Sequence, residues 1–583
     1  MIRPKVWYIV IFVILFINTN RFIKINVEGK SNEFFQRELD LDGGDKPKNI
    51  LAMSKVGGVS HLKPMSEICK ILENRGYKVT LAAPGNFTAK SALYRSIPQI
   101  ITDEAHNTHE STYKKSIIDK FDFKSMDDIR MKFINQYVED FNKGLQAYKE
   151  IKADLFLCDW AGNTVCFDLA WKLNKPVVGI ISLTRVIYTL PPFLSDPMMD
   201  CHVNMENESF YNRFICAVVQ PLRISWHYQK FINHINNKRV EVGVSKHNDY
   251  RGRVTNTLFL IDNFFGFQVP YAMPPIHQQI GPILPDTFPN LSSDLNLFLS
   301  THPRTMYISL GTSVYTTPEN YAILIQSILE LINQNILDGV TWATVLQNET
   351  KLPSSFKLSS DNVISTSNIL NNLYPHIHIM KFAPQFTILS HENTKVFLSH
   401  GGAGSCHESM YTATPMLILP IAYDQPTNAE QMELTGMSLT LSKLDLKIDD
   451  IILKVLRLMN ERSFKMNAER MQVLAKFNSK RKHRGADLIE IVMNLAKLND
   501  VKNEKNESEI DNEILLRHWI TPDSRMGFIR GNYLDVFGTA VIISIALISS
   551  LGYAFYKTIK FAFKRWSLRD GNLRDNSSKL KNE

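Results

Sequence analysis

Short apolar segments alternate with amphipathic helical segments along most of this chain. The first apolar segment is Asn49 to Met53, and the helix predicted after it has apolar residues at the spacing of one helical face. Val79 to Ala83 is the next predicted strand. The pattern returns as a strand over Leu155 to Cys158, a helix over Thr164 to Leu173 and a strand over Val177 to Ile181. Strands that are apolar throughout are typical of a parallel sheet covered by helices on both faces.

The alternation stops over Gly281 to Thr301, a stretch rich in Pro, Ser and Asn, and then starts again. Further strands are predicted over Met306 to Leu310, Val340 to Leu346, Ile377 to Phe382, Lys395 to Ser399 and Met416 to Leu419. We therefore expect an α/β protein with two Rossmann-like, doubly wound parallel-sheet domains and a ligand cleft between them. The N-terminal domain is placed at 45–285, the linker at 286–302 and the C-terminal domain at 303–500.

Both ends of the 583-residue chain carry apolar segments. Val6 to Ile17 follows the basic residues Arg3 and Lys5, so residues 1–20 are predicted to be a signal peptide or an uncleaved signal anchor. Val536 to Tyr556 is long enough to span a bilayer, and a basic cluster follows it. Positive charge on that side predicts a type I topology: a membrane-proximal segment at 501–532, a transmembrane helix at 533–556 and a cytosolic basic tail at 557–583.

The last residues suggest a compartment. Lys579 and Lys581 stand fifth and third from the end, as in the dilysine retrieval signals of endoplasmic reticulum membrane proteins. We therefore expect a single-pass protein of that membrane with its two domains in the lumen. Sequons for N-glycosylation fit this placement, at Asn86, Asn207, Asn290, Asn348 and Asn506.

Charge and cysteine content exclude some classes of protein. The net charge of +8 is concentrated at the ends, since residues 557–583 contain eight Lys/Arg and three Asp/Glu, a balance of 8 − 3 = +5. No basic stripe is interleaved with aromatics, so a nucleic-acid partner is not expected. The six cysteines lack zinc-type spacing; Cys201 and Cys216 could form a disulfide, and several others lie in apolar runs typical of a core.

A glycine-rich turn follows one of the predicted strands. The strand ends at His400, and Gly401, Gly402 and Gly404 lead into a helix. Glycines let the backbone approach a ligand closely, and a helix N-terminus offers unpaired amides and the positive end of the helix dipole. This arrangement suits a diphosphate, although an ordinary strand-to-helix turn has the same local sequence.

The surroundings of this turn are more specific. Phe382-Ala-Pro-Gln385 precedes it, and Asp424-Gln-Pro426, Asn428 and Gln431 follow Glu408. The span from Phe382 to Gln431 resembles the signature of the UDP-glucuronosyltransferase/UDP-glucosyltransferase family, whose members are inverting enzymes of the GT-B fold. Ser309-Leu-Gly-Thr312 and Tyr533-Leu-Asp-Val-Phe-Gly538 are similar to two further family segments, so the resemblance covers roughly Lys48 to Tyr556.

The resemblance implies roles for residues of the C-terminal domain. Phe382 would stack on uracil, where the family usually has Trp, and Gln385 would contact the uridine. Glu408 would accept hydrogen bonds from the ribose, and Asp424 and Gln425 would bind the transferred sugar. The diphosphate would be held by His400, Gly402, Gly404, Ser405 and Thr312. Gly404 stands where animal and plant members commonly have Asn.

The N-terminal domain would supply the base. His61, in the loop after the first strand, matches the family's catalytic histidine, and Asp159, at the end of a later strand, matches its aspartate partner. An inverting transfer needs a base to take the acceptor's proton, and a neutral imidazole oriented by a carboxylate suits this task. The leaving UDP can be stabilised by the helix N-terminus, by His400 and by hydroxyls, so neither a metal nor another cofactor is expected.

The leading hypothesis is an inverting transferase that moves a hexose, glucose or glucuronic acid, from a UDP-sugar to a hydroxyl of a lipophilic acceptor. Membrane anchoring favours acceptors that partition into a bilayer, such as a sterol, a sphingolipid or a hydrophobic xenobiotic. The alternatives are a catalytically silent UDP-sugar-binding scaffold and a UDP-sugar hydrolase or epimerase of the same fold. The presence of both His61 and Asp159 argues against the scaffold. The donor sugar, the acceptor and the oligomeric state, a homo-oligomer included, stay open.

Overall fold

The computed structural model describes residues 48–104, 117–182, 191–248, 256–311, 316–344, 351–498, 501–502, 508–509 and 515–579. The predicted signal segment 1–20 lies outside these residues, as do Thr312, Lys581 and the sequons at Asn348 and Asn506.

Seven parallel strands form the first sheet, in the order β3-β2-β1-β4-β5-β6-β7. They are β1 (Asn49–Met53), β2 (Lys78–Ala83), β3 (Gln99–Ile101), β4 (Leu155–Asp159), β5 (Val177–Ile181), β6 (Leu258–Ile261) and β7 (His277–Gln279). The central strands are buried along their whole length, because helices cover both faces of the sheet. The predicted α/β class with parallel sheets is confirmed for this half.

The helices of the first half each bury one apolar face. Leu62, Met65, Ile68 and Leu72 of the first helix pack on one side of the sheet, at the predicted helical spacing. The helices are α1 (Val59–Asn74), α2 (Phe87–Lys90), α3 (Asp127–Ile151), α4 (Thr164–Lys172), α5 (Phe210–Phe214) and α6 (Gln220–Glu241), with a π-helical turn at Ile215–Val219 between the last two.

Six parallel strands form the second sheet, in the order β12-β9-β8-β13-β14-β15. They are β8 (Thr305–Ser309), β9 (Gly339–Ala343), β12 (Ile377–Met380), β13 (Thr394–Ser399), β14 (Met416–Ile418) and β15 (Ser438–Thr440). Between β9 and β12 in the sequence, β10 (Ser355–Lys357) and β11 (Val363–Ser365) form a short antiparallel pair. This second parallel sheet confirms the other half of the predicted fold class.

The helices of the second half show clear sequence reasons for where they start. At Pro318 the chain enters a helix with Pro in its first turn, and the Thr317 hydroxyl caps it by accepting from the amide of Asn320 at 3.1 Å. The helices are α7 (Ser293–Thr301), α8 (Pro318–Asn333), α9 (Thr366–Leu370), α10 (Gln385–Ser390), α11 (Ala403–Thr412), α12 (Gln425–Leu434), α13 (Ile448–Asn460) and α14 (Arg462–Ser479).

The next helix, α15 (Lys482–Leu498), packs on the first sheet rather than on the second. Ala486, Ile489 and Val492 belong to the same core as α1. The buried Lys482 ammonium donates to Glu67 Oε2 at 3.0 Å and to the Leu284 carbonyl at 2.7 Å. The chain therefore crosses between the halves twice.

Two helices end the described chain, α16 (Pro522–Gly531) and α17 (Leu534–Lys579). Residues Leu534–Arg569 of α17 are long and apolar enough to cross a bilayer, and none of their most apolar part is buried. Among the described helices this one alone meets those criteria. It contains most of the helix predicted at 533–556 and extends beyond it.

The cysteines form two disulfides. Cys201 and Cys216 form the one that the sequence left open. Cys158 and Cys166, for which the sequence predicted no pairing, form the other, between the end of β4 and the first turn of α4. Both are fully buried, so a cystine here fills the same apolar environment as two core thiols would. Cys69 and Cys406 are buried free thiols.

Candidate active site

A cavity of about 1600 Å³ lies between the two sheets, where the carboxyl ends of their strands meet. Ten of the predicted site residues line it: His61, Phe382, Gln385, His400, Gly402, Gly404, Ser405, Glu408, Asp424 and Gln425. Asp159 lies behind His61, and Thr312 is outside the described residues. The fold therefore brings residues from both halves to one space.

The N-terminal side of the cavity holds a histidine–aspartate pair. His61 lies in the first turn of α1, and Asp159 is the last residue of β4, the strand beside β1. His61 Nδ1 is 3.3 Å from Asp159 Oδ1. Asp159 Oδ2 accepts from the Ser54 hydroxyl at 2.8 Å, and Oδ1 also accepts from the Ala161 amide at 3.4 Å. These contacts fix the carboxylate and leave His61 Nε2 for a ligand.

The electrostatic surroundings of His61 suit a base. Burial lowers the pKa of His61, but the charge of Asp159, its hydrogen bond and the charge of Asp424 outweigh burial and raise it above 6.5. In the folded chain 16% of the His61 side-chain surface is exposed to solvent, compared with 1% for Asp159. The imidazole can thus reach the cavity while its partner is shielded from water.

Asp424 and Gln425 lie across the cavity from His61, at the start of α12. Burial raises the pKa of Asp424, against the lowering effects of a 2.7 Å hydrogen bond from Asn428 and of the charge on His61. Gln425 Oε1 accepts from the amides of Ile421 and Ala422, at 2.8 and 3.0 Å, which orients its side chain.

Backbone geometry and close contacts explain the glycines of the glycine-rich turn. Gly401 has a φ of +82°, and a Cβ on Gly402 would lie 2.5 Å from His400 Nε2. At Gly404 an added Cβ would meet nothing within 4 Å, so the space beside this residue is open to a side chain or a ligand. Burial lowers the pKa of His400 to about 4, so its ring is neutral at physiological pH.

Glu408 is held from both halves of the molecule. Its Oε1 is 2.9 Å from the ammonium of Lys63 on α1, and its Oε2 accepts from Gln385 Nε2 at 2.9 Å. The Gln385 amide also lies 3.3 Å from Ser405 Oγ. Phe382 is 78% exposed at the cavity, so its ring has an open face for stacking. Lys63 was missed from the sequence, where its one signal is its place two residues after His61.

A second histidine–aspartate pair in the same cavity wall was also missed. His407 on α11 lies with Nδ1 3.6 Å from Oδ1 of Asp262, which follows β6. The sequence signal was present, since Asp262 directly follows an apolar strand. This contact joins the two halves.

A large part of the cavity in the first half is a chamber of mainly apolar and aromatic side chains, with polar residues such as Arg130, Asp196 and Gln229 also in the lining. The apolar and aromatic side chains come mainly from α3 and α6 and from the turn after Asp159. The chamber is lined by Ile129, Phe133, Ile134, Tyr137, Trp160, Phe167, Ile224, Tyr228, Phe231, Ile232 and Ile235. Such a lining favours a ligand with a large apolar surface.

Comparisons with known proteins agree with this geometry. A family model described as UDP-glucoronosyl and UDP-glucosyl transferase matches residues 195–493. The chain is 27% identical over 516 residues to a UDP-glycosyltransferase of Talaromyces amestolkiae, covering 84% of this chain and 94% of that protein. It is 28% identical over 478 residues to UDP-glycosyltransferase 1 of Phaeomoniella chlamydospora, covering 77% and 92%.

A solved structure shows the same architecture. The crystal structure of the glycosyltransferase of kitacinnamycin aligns with a TM-score of 0.53 at 18% identity, over 76% of this chain and 99% of that one. This likeness concerns the fold, and it confirms the predicted GT-B arrangement.

Proposed function

This chain belongs to the UDP-glucuronosyl- and UDP-glucosyltransferase family, and we propose that it transfers a hexose from a UDP-sugar to a hydroxyl of a lipophilic acceptor, with inversion. The observation that carries the proposal is the cavity itself. His61, backed by Asp159, faces Asp424 and the glycine-rich turn across one space that continues into an apolar chamber.

In the proposed reaction His61 Nε2 takes the proton of the acceptor hydroxyl while the oxygen attacks the anomeric carbon. The bond from that carbon to the diphosphate breaks on the opposite face, so the configuration inverts and UDP leaves. Asp159 stabilises the imidazolium that forms, which is consistent with the raised pKa of His61.

For the donor, the ribose hydroxyls would donate to Glu408, whose oxygens are oriented by Lys63 and Gln385. The amides at the start of α11, with His400 and Thr312, would stabilise the charge on the diphosphate. Phe382 would stack on uracil. No metal ion or other cofactor takes part in this mechanism.

A neutral hexose such as glucose fits better than glucuronate. The residues expected beside the transferred sugar are Asp424 and Gln425, and a sugar carboxylate there would face the Asp424 carboxyl rather than a cation. Two of the three lysines that line the cavity, Lys55 and Lys63, are paired with Asp140 and Glu408, and the third, Lys381, directly precedes Phe382 on the side proposed for uracil.

We further propose that α17 anchors the protein in the endoplasmic reticulum membrane, with both sheets in the lumen. The exposed apolar helix supports the anchor. The two disulfides favour an oxidising compartment, which the lumen provides.

The test uses the full-length protein in lipid nanodiscs with labelled UDP-glucose or UDP-glucuronate and a panel of lipophilic alcohols. We expect transfer from UDP-glucose, which is an α-linked donor, to give a β-glucoside by NMR. Release of free sugar with no acceptor product would support the hydrolase instead, and UDP binding with no turnover on any acceptor would support the scaffold. An α-linked product would contradict inversion.

A further inference from the structure

One helical segment of the first half presents apolar side chains to solvent. The segment comprises α5, the π-helical turn and the start of α6, and we name its outer surface the aromatic stripe. Trp226 is 88% exposed and Phe210 is 76% exposed. The exposed apolar members of the stripe are Phe210, Tyr211, Phe214, Val218, Val219, Leu222 and Trp226. Exposed apolar side chains that cluster in one patch indicate an interaction surface, whereas single exposed ones are normal.

The spacing makes the stripe continuous. Tyr211, Val218, Leu222 and Trp226 recur at intervals of seven and then four residues, which keeps them on one side of a helix. Phe210 and Phe214 stack at a centroid distance of 6.3 Å beside them. The disulfide from Cys216 to Cys201 ties the π-helical turn to the preceding loop and so holds the segment in place.

The charges in the same segment have one sign. From Ser209 to Lys230 the chain has the basic residues Arg213, Arg223 and Lys230 and no Asp or Glu. Lys230 is 3.7 Å from Asp127 of α3, which offsets part of its charge, and Arg223 lies over the Phe123 ring, so both hold the segment against the rest of the first half. Apolar, aromatic and basic residues together are typical of a helix that lies in the headgroup region of an anionic bilayer.

The inner face of this segment lines the cavity. Ile224 and Tyr228 belong to the apolar chamber, and Pro221 and Ser225 also line the cavity. One helix therefore separates the chamber from the aromatic stripe.

We propose that the aromatic stripe rests on the bilayer in which α17 is anchored, and that lipophilic acceptors enter the chamber from the lipid beside it. The first part rests on the exposed stripe, its charge and the apolar α17. The second part rests on the proposed function. A second copy of the chain is the competing occupant of the stripe, and the experiment below distinguishes it from the bilayer.

The experiment uses the full-length protein in nanodiscs of phosphatidylcholine and phosphatidylglycerol. An environment-sensitive NBD fluorophore is attached at Trp226→Cys and, as a matched control, at Phe477→Cys, another exposed aromatic position on a helix, 75% exposed. The native free thiols, Cys69 and Cys406, are buried and should not be labelled. We expect a blue-shifted emission at 226 that lipids with a doxyl group near the headgroup quench about twofold or more, and no such quenching at 477.

Emission at 226 that is solvent-like and unquenched, as at 477, would overturn the proposal. A blue shift that doxyl lipids do not quench, and that grows with the number of proteins per nanodisc, would also overturn it in favour of contact between copies.

The acceptor route has its own readout. In the triple variant Phe210→Ser, Leu222→Ser and Trp226→Ser, transfer to a bilayer-dissolved alcohol should fall about tenfold, while transfer to a short water-soluble alcohol stays unchanged. Equal loss on both acceptors, or no loss on either, would contradict the route. If the protein transfers sugar to no acceptor, the proposed function fails and the quenching result still decides the lipid contact.

Discussion

Two histidine–aspartate pairs border the same cavity, and their histidines differ in pKa and in hydrogen bonding. His61 and Asp159 lie 3.3 Å apart, and His407 and Asp262 lie 3.6 Å apart. The pKa of His61 is raised, whereas burial lowers the pKa of His407 to about 3. Burial also raises the pKa of Asp262 to about 7, against the lowering effects of a hydrogen bond from the Ile283 amide and the charge of Lys63.

The difference shows that a nearby aspartate does not by itself make a histidine basic. Asp159 is held in place by hydrogen bonds from Ser54 and Ala161, and its charge and its contact with the His61 ring raise the pKa of that imidazole. His407 is packed beside the rings of Phe264 and Phe267, and neither of its ring nitrogens has a hydrogen-bond partner in the described structure. The first pair is therefore suited to proton transfer, and the second is a buried contact between the halves whose imidazole stays neutral.

The largest expected effect comes from replacing each aspartate by asparagine. Asp159→Asn should lower kcat by a factor of the order of 10²–10⁴, because the imidazolium loses its counter-charge and its orientation. Asp262→Asn should change kcat by less than about tenfold, since this side chain has no part in the proposed proton transfer. Steady-state rates with UDP-glucose measure both, and equal losses in the two variants would contradict the distinction.

A smaller loss is expected when the support of Asp159 is removed. Ser54→Ala deletes the 2.8 Å hydrogen bond to its Oδ2. A hydrogen bond to a charged group contributes about 1.5–3 kcal/mol, so kcat should fall about tenfold or more while the KM for the donor stays unchanged. A variant that lost donor affinity instead would place Ser54 in substrate binding.

The pH dependence of kcat/KM should follow His61. The base must be unprotonated, so activity falls as pH drops through the pKa of His61, which lies above the usual 6.5. In Asp159→Asn the effects that raise this pKa are weakened while burial, which lowers it, remains, so the acidic limb should move to lower pH. Values of kcat/KM measured from about pH 5 to 9 for both proteins test this shift. An acidic limb at the same pH in both would show that the limb does not report the pKa of His61.

The smallest effect concerns stability. Asp262 keeps its proton in the folded chain up to a pKa of about 7, whereas the unfolded chain releases it near 3.8. Its contribution to stability is therefore complete below pH 3.8 and is lost as pH rises through 7. Asparagine does not titrate, so the Tm of Asp262→Asn relative to wild type should rise over this range by about 2–4 °C per kcal/mol of linkage. A Tm difference that stays constant with pH would contradict the raised pKa.

Local sequence patterns were sufficient to predict the two sheets and the residues at the ends of their strands. Continuous apolar strands predicted both parallel sheets, and residues that follow such strands meet at one edge, which is how His61 and Asp159 come together. The resemblance named the same two residues, and their chemical roles stay predictions until activity is measured.

Contacts between the halves were not predictable in the same way. Lys63 and Glu408 are 345 positions apart, and nothing in the helical period of α1 shows that Lys63 faces a distant carboxylate. The amphipathic pattern of α15 predicts one buried face but not the sheet against which it packs. The Cys158–Cys166 disulfide was missed because a buried cystine and two core thiols have the same apolar neighbours in sequence.

A matched pair of histidine variants tests the central claim, that His61 is the base and His407 is not. Full-length His61→Gln and His407→Gln would be compared by rate of transfer at saturating UDP-glucose, with UDP affinity as the check on folding. If His61 is the base, His61→Gln loses a factor of the order of 10²–10⁴ in kcat with UDP affinity unchanged, and His407→Gln stays within about tenfold of wild type. Retained activity in His61→Gln, with the large loss in His407→Gln, would contradict that claim.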